Sequence, residues 1–473
     1  NVFRSDSDTE VLLHLYARKG EKMLADLRGM FAFAIWDRET RRLFIARDRM
    51  GKKPFFYRRR ENTFVFASEL RALTIGDERP SVDWKAVRVF LGLQYVPAPM
   101  TGFVGIECLP PGHAATLDNG AWRSWKYDDV LTNEPFSGTF AEAKERISSL
   151  LEESVRLRLL AADVPVGAFL SGGVDSSAVV AFMSRHATRP ISTFTMGFPS
   201  IGFDEREQAA AFAKQLGTDH HAFEVQGTHA VEMVDTLVDL YAAPYADSSS
   251  LPTWMLARET AKHVKVVLTG DGADELFAGY RRHAYFMQAL WLARHGAVSL
   301  TPWLELTGQL MKDARLTRFA RMLYAITQSP QKGYASLFTG AYFSSPDEAS
   351  LLQKDFATET ADMSAEAWIV SHLQDGDPLK AVLAFDRSSY LPDDLNVKMD
   401  RATMAHGLEA RSPFLDQELV RFVSSLPTDW LLRRGKGKFI LKEALNGVVP
   451  KEVLSRKKRG FQVPLARWFR GEL

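Results

Sequence analysis

The chain has 473 residues, too many for one ordinary hydrophobic core, and at roughly 150 residues per domain it predicts two or three domains. Apolar residues at 46% and charged residues at 25% exclude a disordered or fibrous chain, while Lys+Arg 59 against Asp+Glu 58 leaves +1, with no global electrostatic drive toward nucleic acid or anionic membrane. The longest unbroken apolar run is the seven residues Met30–Trp36, far below the ~20 that a membrane span requires, and a single cysteine, Cys108, rules out an internal disulfide or a Cys-rich metal site. With no apolar leader in its first twenty residues, the chain reads as soluble and cytoplasmic.

The first 126 residues carry short β-type runs, Phe31–Trp36, Leu43–Ala46, Phe55–Arg58 and Phe64–Ala67, which predict an antiparallel region. Gly51, closing Arg47-Asp48-Arg49-Met50-Gly51, stands where a turn needs positive φ. Pro97, Pro99, Pro110, Pro111 and Gly112 punctuate a loop-rich stretch, and Thr132–Gly138 is the strongest linker signal, so the domain boundary is expected there. Helix and strand then alternate. Helices are predicted over Ala141–Leu160, Ser176–His186 and Asp204–Leu216, and buried strands over Val164–Leu170, Ile191–Phe198, His221–Val225 and Val264–Leu268. That grammar predicts a doubly wound parallel sheet with its ligand at the strand carboxyl ends. Beyond Gly279 the pattern is mostly helical, without repeats.

The sharpest chemical signal is Ser171-Gly172-Gly173-Val174-Asp175-Ser176-Ser177, set between a strand and a helix. Two glycines let the backbone approach a phosphate, the helix N-terminus presents N–H groups, the serines add hydroxyls, and Asp175 can hold a divalent metal. A glycine-rich turn with a capped helix is the plain alternative. Gly270-Asp271-Gly272-Ala273-Asp274-Glu275 follows the strand ending at Leu268 and places three carboxylates where polyphosphate would be repelled unless a metal intervened; an acidic first helical turn explains the same pattern locally.

The SGGVDSS stretch resembles the pyrophosphate-binding loop of the N-type ATP pyrophosphatases, which implies attack at the α-phosphate with AMP and pyrophosphate as products. Together with GDGADE, Asp393–Asp416 and the Gly-Lys-Gly-Lys run at Gly435–Lys438, it resembles the glutamine-dependent asparagine synthetases. Gly29–Ala34, Ala46–Gly51 and Phe66–Leu70 look like that family's class II glutaminase domain. The resemblance implies an α/β chain in two parts: an antiparallel, Ntn-hydrolase-like glutaminase remnant over 1–130, then over 140–473 a doubly wound ATP-pyrophosphatase domain with a helical C-terminal part.

Carried over residue by residue, it makes Asp175 and Asp274 ligands of Mg2+, and Asp271 the acidic residue near the acyl-adenylate, where many relatives have Glu. Lys438 becomes the lysine that supports charge on phosphate, with Lys436 and Lys442 as competitors. The backbones of Leu170, Met196 and Gly270 form the adenosine pocket, and Ser171, Gly172, Gly173, Ser176 and Ser177 join Asp175 around the phosphates. Tyr245–Pro252 resembles the loop near the aspartate site, offering Asp247, Ser249 and Ser250, although the same residues can cap a helix. Glu409–Pro413 is a family landmark that can equally order the fold. His406 and the pair His220–His221 stand without a ligand constellation and read as structural.

The implied partners are ATP, aspartate, and glutamine or ammonia, with a homodimer allowed and neither nucleic acid nor membrane expected. Glutaminase chemistry needs an N-terminal cysteine, whereas position 1 is Asn; Cys108, ahead of Leu109-Pro110-Pro111-Gly112, reads as a buried cysteine. Ser7 and Asp8 match the retained part of the glutamine pocket. Both ends read as cut, the C-terminal one directly after the amphipathic Pro464–Phe469, so the chain is expected to use ammonia alone. Other readings remain: β-lactam synthetases, against which Asp271 argues because Tyr is usual there, lasso-peptide cyclases, other amidotransferases, or a nucleotide-binding scaffold without turnover.

Overall fold

The computed structural model of the chain describes residues 3–61, 63–75, 80–128, 134–198, 204–225, 227–311, 313–340, 351–360, 363–456 and 470. Thr132 and Asn133 of the expected linker, Asn1, and the Pro464–Phe469 run lie outside the described residues. The chain opens with helix α1 (Asp8–Lys19), whose N-cap Ser7 accepts from the Thr9 N–H. Seven strands follow: β1 (Ala32–Asp37), β2 (Arg42–Arg47), β3 (Phe56–Arg60), β4 (Thr63–Ala67), β5 (Ile106–Cys108), β6 (His113–Asp118) and β7 (Ala121–Lys126). They form two antiparallel sheets, ordered β1-β2-β6-β7 and β4-β3-β5.

The apolar run Leu43–Ala46 arises because β2 is buried on both faces. Leu43 and Ile45 pack with Phe55 and Tyr57 of the second sheet, while Phe44 and Ala46 face Leu12, Leu15 and Tyr16 of α1. The four expected strands therefore match β1–β4 to within a residue or two at each end. The sequence reading of this region is corrected by α1 and the helices Leu70–Thr74 and Trp84–Leu93, by β5 within the stretch read as loop, and by the β6–β7 hairpin. The partly exposed, polar-rich pattern of Ala121–Lys126 carries little apolar signal, and the polar first turn of α1 masks the apolar positions that follow it.

After α2 (Phe140–Leu160), which Thr139 and Glu142 close with a capping box, the second sheet system begins. Its strands are β8 (Val166–Phe169), β9 (Ser192–Gly197), β10 (Asp219–Glu224), β11 (Val266–Leu268) and β12 (Glu409–Arg411), all parallel in the order β10-β9-β8-β11-β12. Helices α3 (Val174–His186), α4 (Arg206–Leu216) and α5 (Ser250–Thr260) provide crossovers. The chain runs outward from β8 through β9 to β10, then returns to place β11 on the other side of β8, so the strand order reverses between β8 and β11. That reversal is where a doubly wound sheet opens a ligand crevice. β12 is a further correction: three residues, two of them charged, give no strand signal.

The C-terminal part is helical as expected. It includes α6 (Arg281–Arg294), a π-helical stretch Asp386–Leu395 containing Pro392, then α7 (Asn396–Met404), α8 (Gln417–Ser425) and α9 (Phe439–Ala444). Polar contacts tie the antiparallel sheets to this part: Arg28 to Asp416 through two bonds of 3.0 and 2.8 Å, Lys53 to Asp400 at 3.0 Å, and Asn396 Nδ2 to the Met50 carbonyl at 2.8 Å. No helix among the described residues is long and apolar enough to cross a membrane.

Candidate active site

The site begins at the turn after β8. Leu170 is buried, and its N–H donates to the Phe194 carbonyl at 2.8 Å, so the chain stays in the sheet up to Ser171. Gly172 turns at φ +72°, where a Cβ would press within 3.1 Å of the Ala209 backbone. Gly173 is the N-cap of α3, with no side chain bonded there. The helix therefore starts at Val174, two residues earlier than expected, and Asp175 sits in its first turn. An N-terminus without a capping side chain presents N–H groups and positive dipole to an anion.

Ser176 Oγ lies 3.2 Å from the Ser171 N–H nitrogen and 3.1 Å from Ser171 Oγ, bracing the turn. Ser177 Oγ is buried without a hydrogen-bond partner among the described residues. Arg456 Nη1 donates to the Gly172 carbonyl at 2.8 Å, a support that no sequence pattern announced. Met196 is buried in β9, one strand over.

The turn after β11 closes against this one. A Cβ on Gly270 would come within 2.9 Å of both Asp175 Cβ and the Ser176 nitrogen. Lys438 links the two turns, its Nζ 2.6 Å from Asp175 Oδ2 and 2.6 Å from Asp274 Oδ1. It reaches them through a left-handed backbone, φ +56°, with its N–H donating to the Phe277 carbonyl at 2.7 Å. Lys436 is exposed in the preceding turn. Lys442 is half-buried one helical turn on, its amine pushed down by burial and by Lys438. Of the three lysines, Lys438 is the one whose ion pairs reach these carboxylates. Glu275, fully buried beside Asp274, has its carboxyl pushed up by burial and by that neighbour, and receives the Tyr280 hydroxyl.

The packing here leaves no room for a side chain at Gly270 or Gly279. A Cβ on Gly279 would fall 1.9 Å from Asp274 Oδ1 and 2.2 Å from Lys438 Cε. Gly279→Ala is therefore expected to displace the carboxylate–lysine cluster and cost about 1–3 kcal/mol, the range for overpacking. Urea titration reads the stability loss and ATP turnover the displacement; an unchanged midpoint with full turnover would show that the cluster yields freely.

A second polar group lies on the loop before α5. Lys398 Nζ is 2.7 Å from Asp247 Oδ2 and 2.9 Å from Ser249 Oγ, while Ser249 donates to Asp247 Oδ1 from its N–H at 2.8 Å and its hydroxyl at 2.7 Å. Ser250 Oγ donates to the Asp247 carbonyl at 2.7 Å. Burial opposes charge on Lys398, yet Asp247, Asp394 and, more weakly, Asp271 hold its pKa above the ordinary value. Burial and Asp247 together push Asp394 up to about 8. The sequence offers Asp247, Ser249 and Ser250 as candidates but does not single out Lys398, one charged residue among several in the Asp393–Asp416 segment. Asp271 takes the Thr269 hydroxyl on Oδ2 at 2.8 Å and lines a small cavity with Ser412.

The remaining candidates lie elsewhere. Ser7 and Asp8 are exposed at the start of α1, where Ser7 is a helix cap. Cys108 is buried in β5, its thiol pushed up by burial, and it receives Arg47 Nη1 at 3.3 Å. His220, His221 and His406 join no metal-binding cluster among the described residues. Glu409 and Arg411 pair at 2.6 Å on β12, and Arg411 also holds the Arg158 carbonyl at 2.9 Å.

No group of three or more His, Cys, Asp and Glu side chains converges among the described residues. Asp175 and Asp274 nevertheless share one cation, and Asp175 Oδ1 is buried without a hydrogen-bond partner among the described residues. Two carboxylates of this kind suit magnesium, whose shell is commonly completed by phosphate and water.

The chain belongs to the asparagine synthase family, whose model matches residues 146–473. A glutamine amidotransferase domain model matches residues 1–128. Among curated relatives, a Mycobacterium tuberculosis protein provisionally named a glutamine-hydrolyzing asparagine synthetase is 35% identical over 100% of this chain and 72% of its own length. The Bacillus subtilis asparagine synthetase [glutamine-hydrolyzing] 1 is 29% identical over 100% of this chain and 73% of its own. A solved NH3-dependent NAD synthetase from Campylobacter jejuni aligns with 50% of this chain and 99% of its own at 13% identity, with a TM-score of 0.22.

Proposed function

We propose that the chain is an asparagine synthetase that adenylates the aspartate β-carboxylate with ATP and transfers ammonia to it. The observation that carries this reading is Lys438 bridging Asp175 and Asp274 at the strand-order reversal, beside the uncapped start of α3. ATP lies with its base against the backbones of Leu170, Met196 and Gly270. Its β and γ phosphates face Ser171, Gly172, Gly173, Ser176 and Ser177. Mg2+, held by Asp175 and Asp274, would neutralise the leaving pyrophosphate.

Asp247 and Lys398 complement the amino and carboxylate ends of an amino acid, with Ser249 and Ser250 fixing that loop. A β-carboxylate oxygen attacks the α-phosphorus, forming the acyl-adenylate as the bond to pyrophosphate breaks. Ammonia then adds to the acyl carbon; the bond to AMP breaks and one proton is lost. Lys438 donates to oxygens that gain charge in both steps, and Asp271 orients the acyl group.

The amidotransferase match supports glutamine as the family's nitrogen source, with Ser7 and Asp8 as part of its pocket. Within these 473 residues, however, the sole cysteine is buried and its thiol raised, which disfavours the thiolate needed for attack on an amide. Assayed by itself, the 473-residue stretch is therefore expected to depend on free ammonia. The expected result is asparagine from aspartate, ATP and ammonium, none above background with glutamine, and the same yields for Cys108→Ala. Glutamate released from glutamine and lost in Cys108→Ala would contradict the donor assignment. Pyrophosphate release driven by another carboxylate, with aspartate inert, would favour the neighbouring amidotransferase reading.

A further inference from the structure

Two partly enclosed spaces adjoin the turn after β2, the larger against Tyr241–Tyr245 and Asp393–Arg401, the smaller toward the ends of β11 and β12. The larger, about 70 Å³, is lined by Arg47, Cys108 and Tyr245; the smaller, about 20 Å³, ends at Thr269, Asp271 and Ser412. Lys52, Asn396 and Asp400 line both. A space of some 10–15 Å³ admits one water, so the smaller holds a molecule the size of water or ammonia and the larger several. Asn396 is committed to the Met50 carbonyl and Asp400 to Lys53. Among the described residues Lys52 Nζ makes one hydrogen bond, donating to the Leu415 carbonyl at 3.2 Å, and has no ion-pair partner. An amine that donates one N–H there keeps its lone pair available when neutral.

We propose that Lys52 takes the proton from ammonium at the junction of the two spaces, so that neutral ammonia enters the Asp271 end. The N–H bond of ammonium breaks as a new N–H bond forms on Nζ. Lys52 then returns that proton to water in the larger space, so one positive charge enters and one proton leaves per cycle. The proposal rests on the amidation reading above.

The surroundings keep the amine ready. Burial lowers its pKa to about 7, with Arg158 and Lys53 adding repulsion. Asp48 and Asp416 pull the other way, but both are engaged. The Asp48 carboxylate receives the N–H groups of Met50, Lys52 and Lys53, and Asp416 holds Arg28 and Arg158.

The test is the pH dependence of kcat/KM for total ammonium, with aspartate-dependent exchange of labelled pyrophosphate into ATP measured alongside. In the wild type the parameter should rise through about 7 and then level. In Lys52→Met and Lys52→Arg it should keep rising about tenfold per pH unit with the free-base fraction. Arginine keeps the charge and the donor toward Leu415 but cannot accept a proton, so a purely structural lysine would leave Lys52→Arg like the wild type. A wild-type profile that itself tracks free ammonia, or variants that keep the plateau, would overturn the role of Lys52. Absence of pyrophosphate exchange in every form, wild type included, would overturn the amidation reading instead.

Discussion

Lys438→Ala is expected to lower asparagine formation on the order of 10²-fold or more, while ATP binding changes far less. The reason is geometric. Lys438 is buried at 5% exposure with Nζ 2.6 Å from a carboxylate on each of the two turns, so its charge is fixed before substrate arrives and needs no reorganisation as charge develops on phosphate and acyl oxygens. Removing it also leaves two carboxylates facing each other without their cation, which destabilises the apo protein. A melting curve with ATP present separates that loss from the catalytic one. Lys436→Ala serves as the contrast, since Lys436 is exposed in the preceding turn and should behave nearly as the wild type. A large defect in Lys436→Ala with a small one in Lys438→Ala would reverse the assignment.

Asp175→Ala is expected to abolish ATP turnover. Asp175 joins the two halves of the cradle: it belongs to the first turn of α3, its Cβ abuts Gly270, and its Oδ2 shares Lys438 with Asp274. Without it Lys438 still has Asp274, so the fold should persist while the proposed magnesium site loses one of the two carboxylates assigned to it. Asp175→Asn, which keeps the shape and drops the charge, should fail similarly. Turnover at wild-type level in both variants would take Asp175 out of the metal site.

The sequence showed most where burial is continuous. β8 and β11 read as apolar runs because the parallel sheet buries them, and the glycine-rich turns after them stand out because a side chain at Gly172 or Gly270 would press on neighbouring backbone. β12 stayed hidden: Glu409-Ala410-Arg411 is a strand only because β11 offers it a partner, and its charges are satisfied by each other and by Arg158. At the start of α1, Ser7 fits both a ligand motif and an N-cap, so the helix is not announced by its first turn. Lys398 and Arg456 act through contacts 151 and 284 residues away in sequence, which local spacing does not encode. Lys438 is one of three lysines the sequence offers, and its left-handed backbone and its two ion pairs distinguish it in the folded chain.

The most direct test of the account is the fate of ATP incubated with the chain, aspartate, magnesium and ammonium. Attack at the α-phosphate predicts AMP and pyrophosphate in equal amounts with asparagine, all dependent on aspartate. ADP and orthophosphate as the main products, or AMP formation indifferent to any carboxylate substrate, would contradict it.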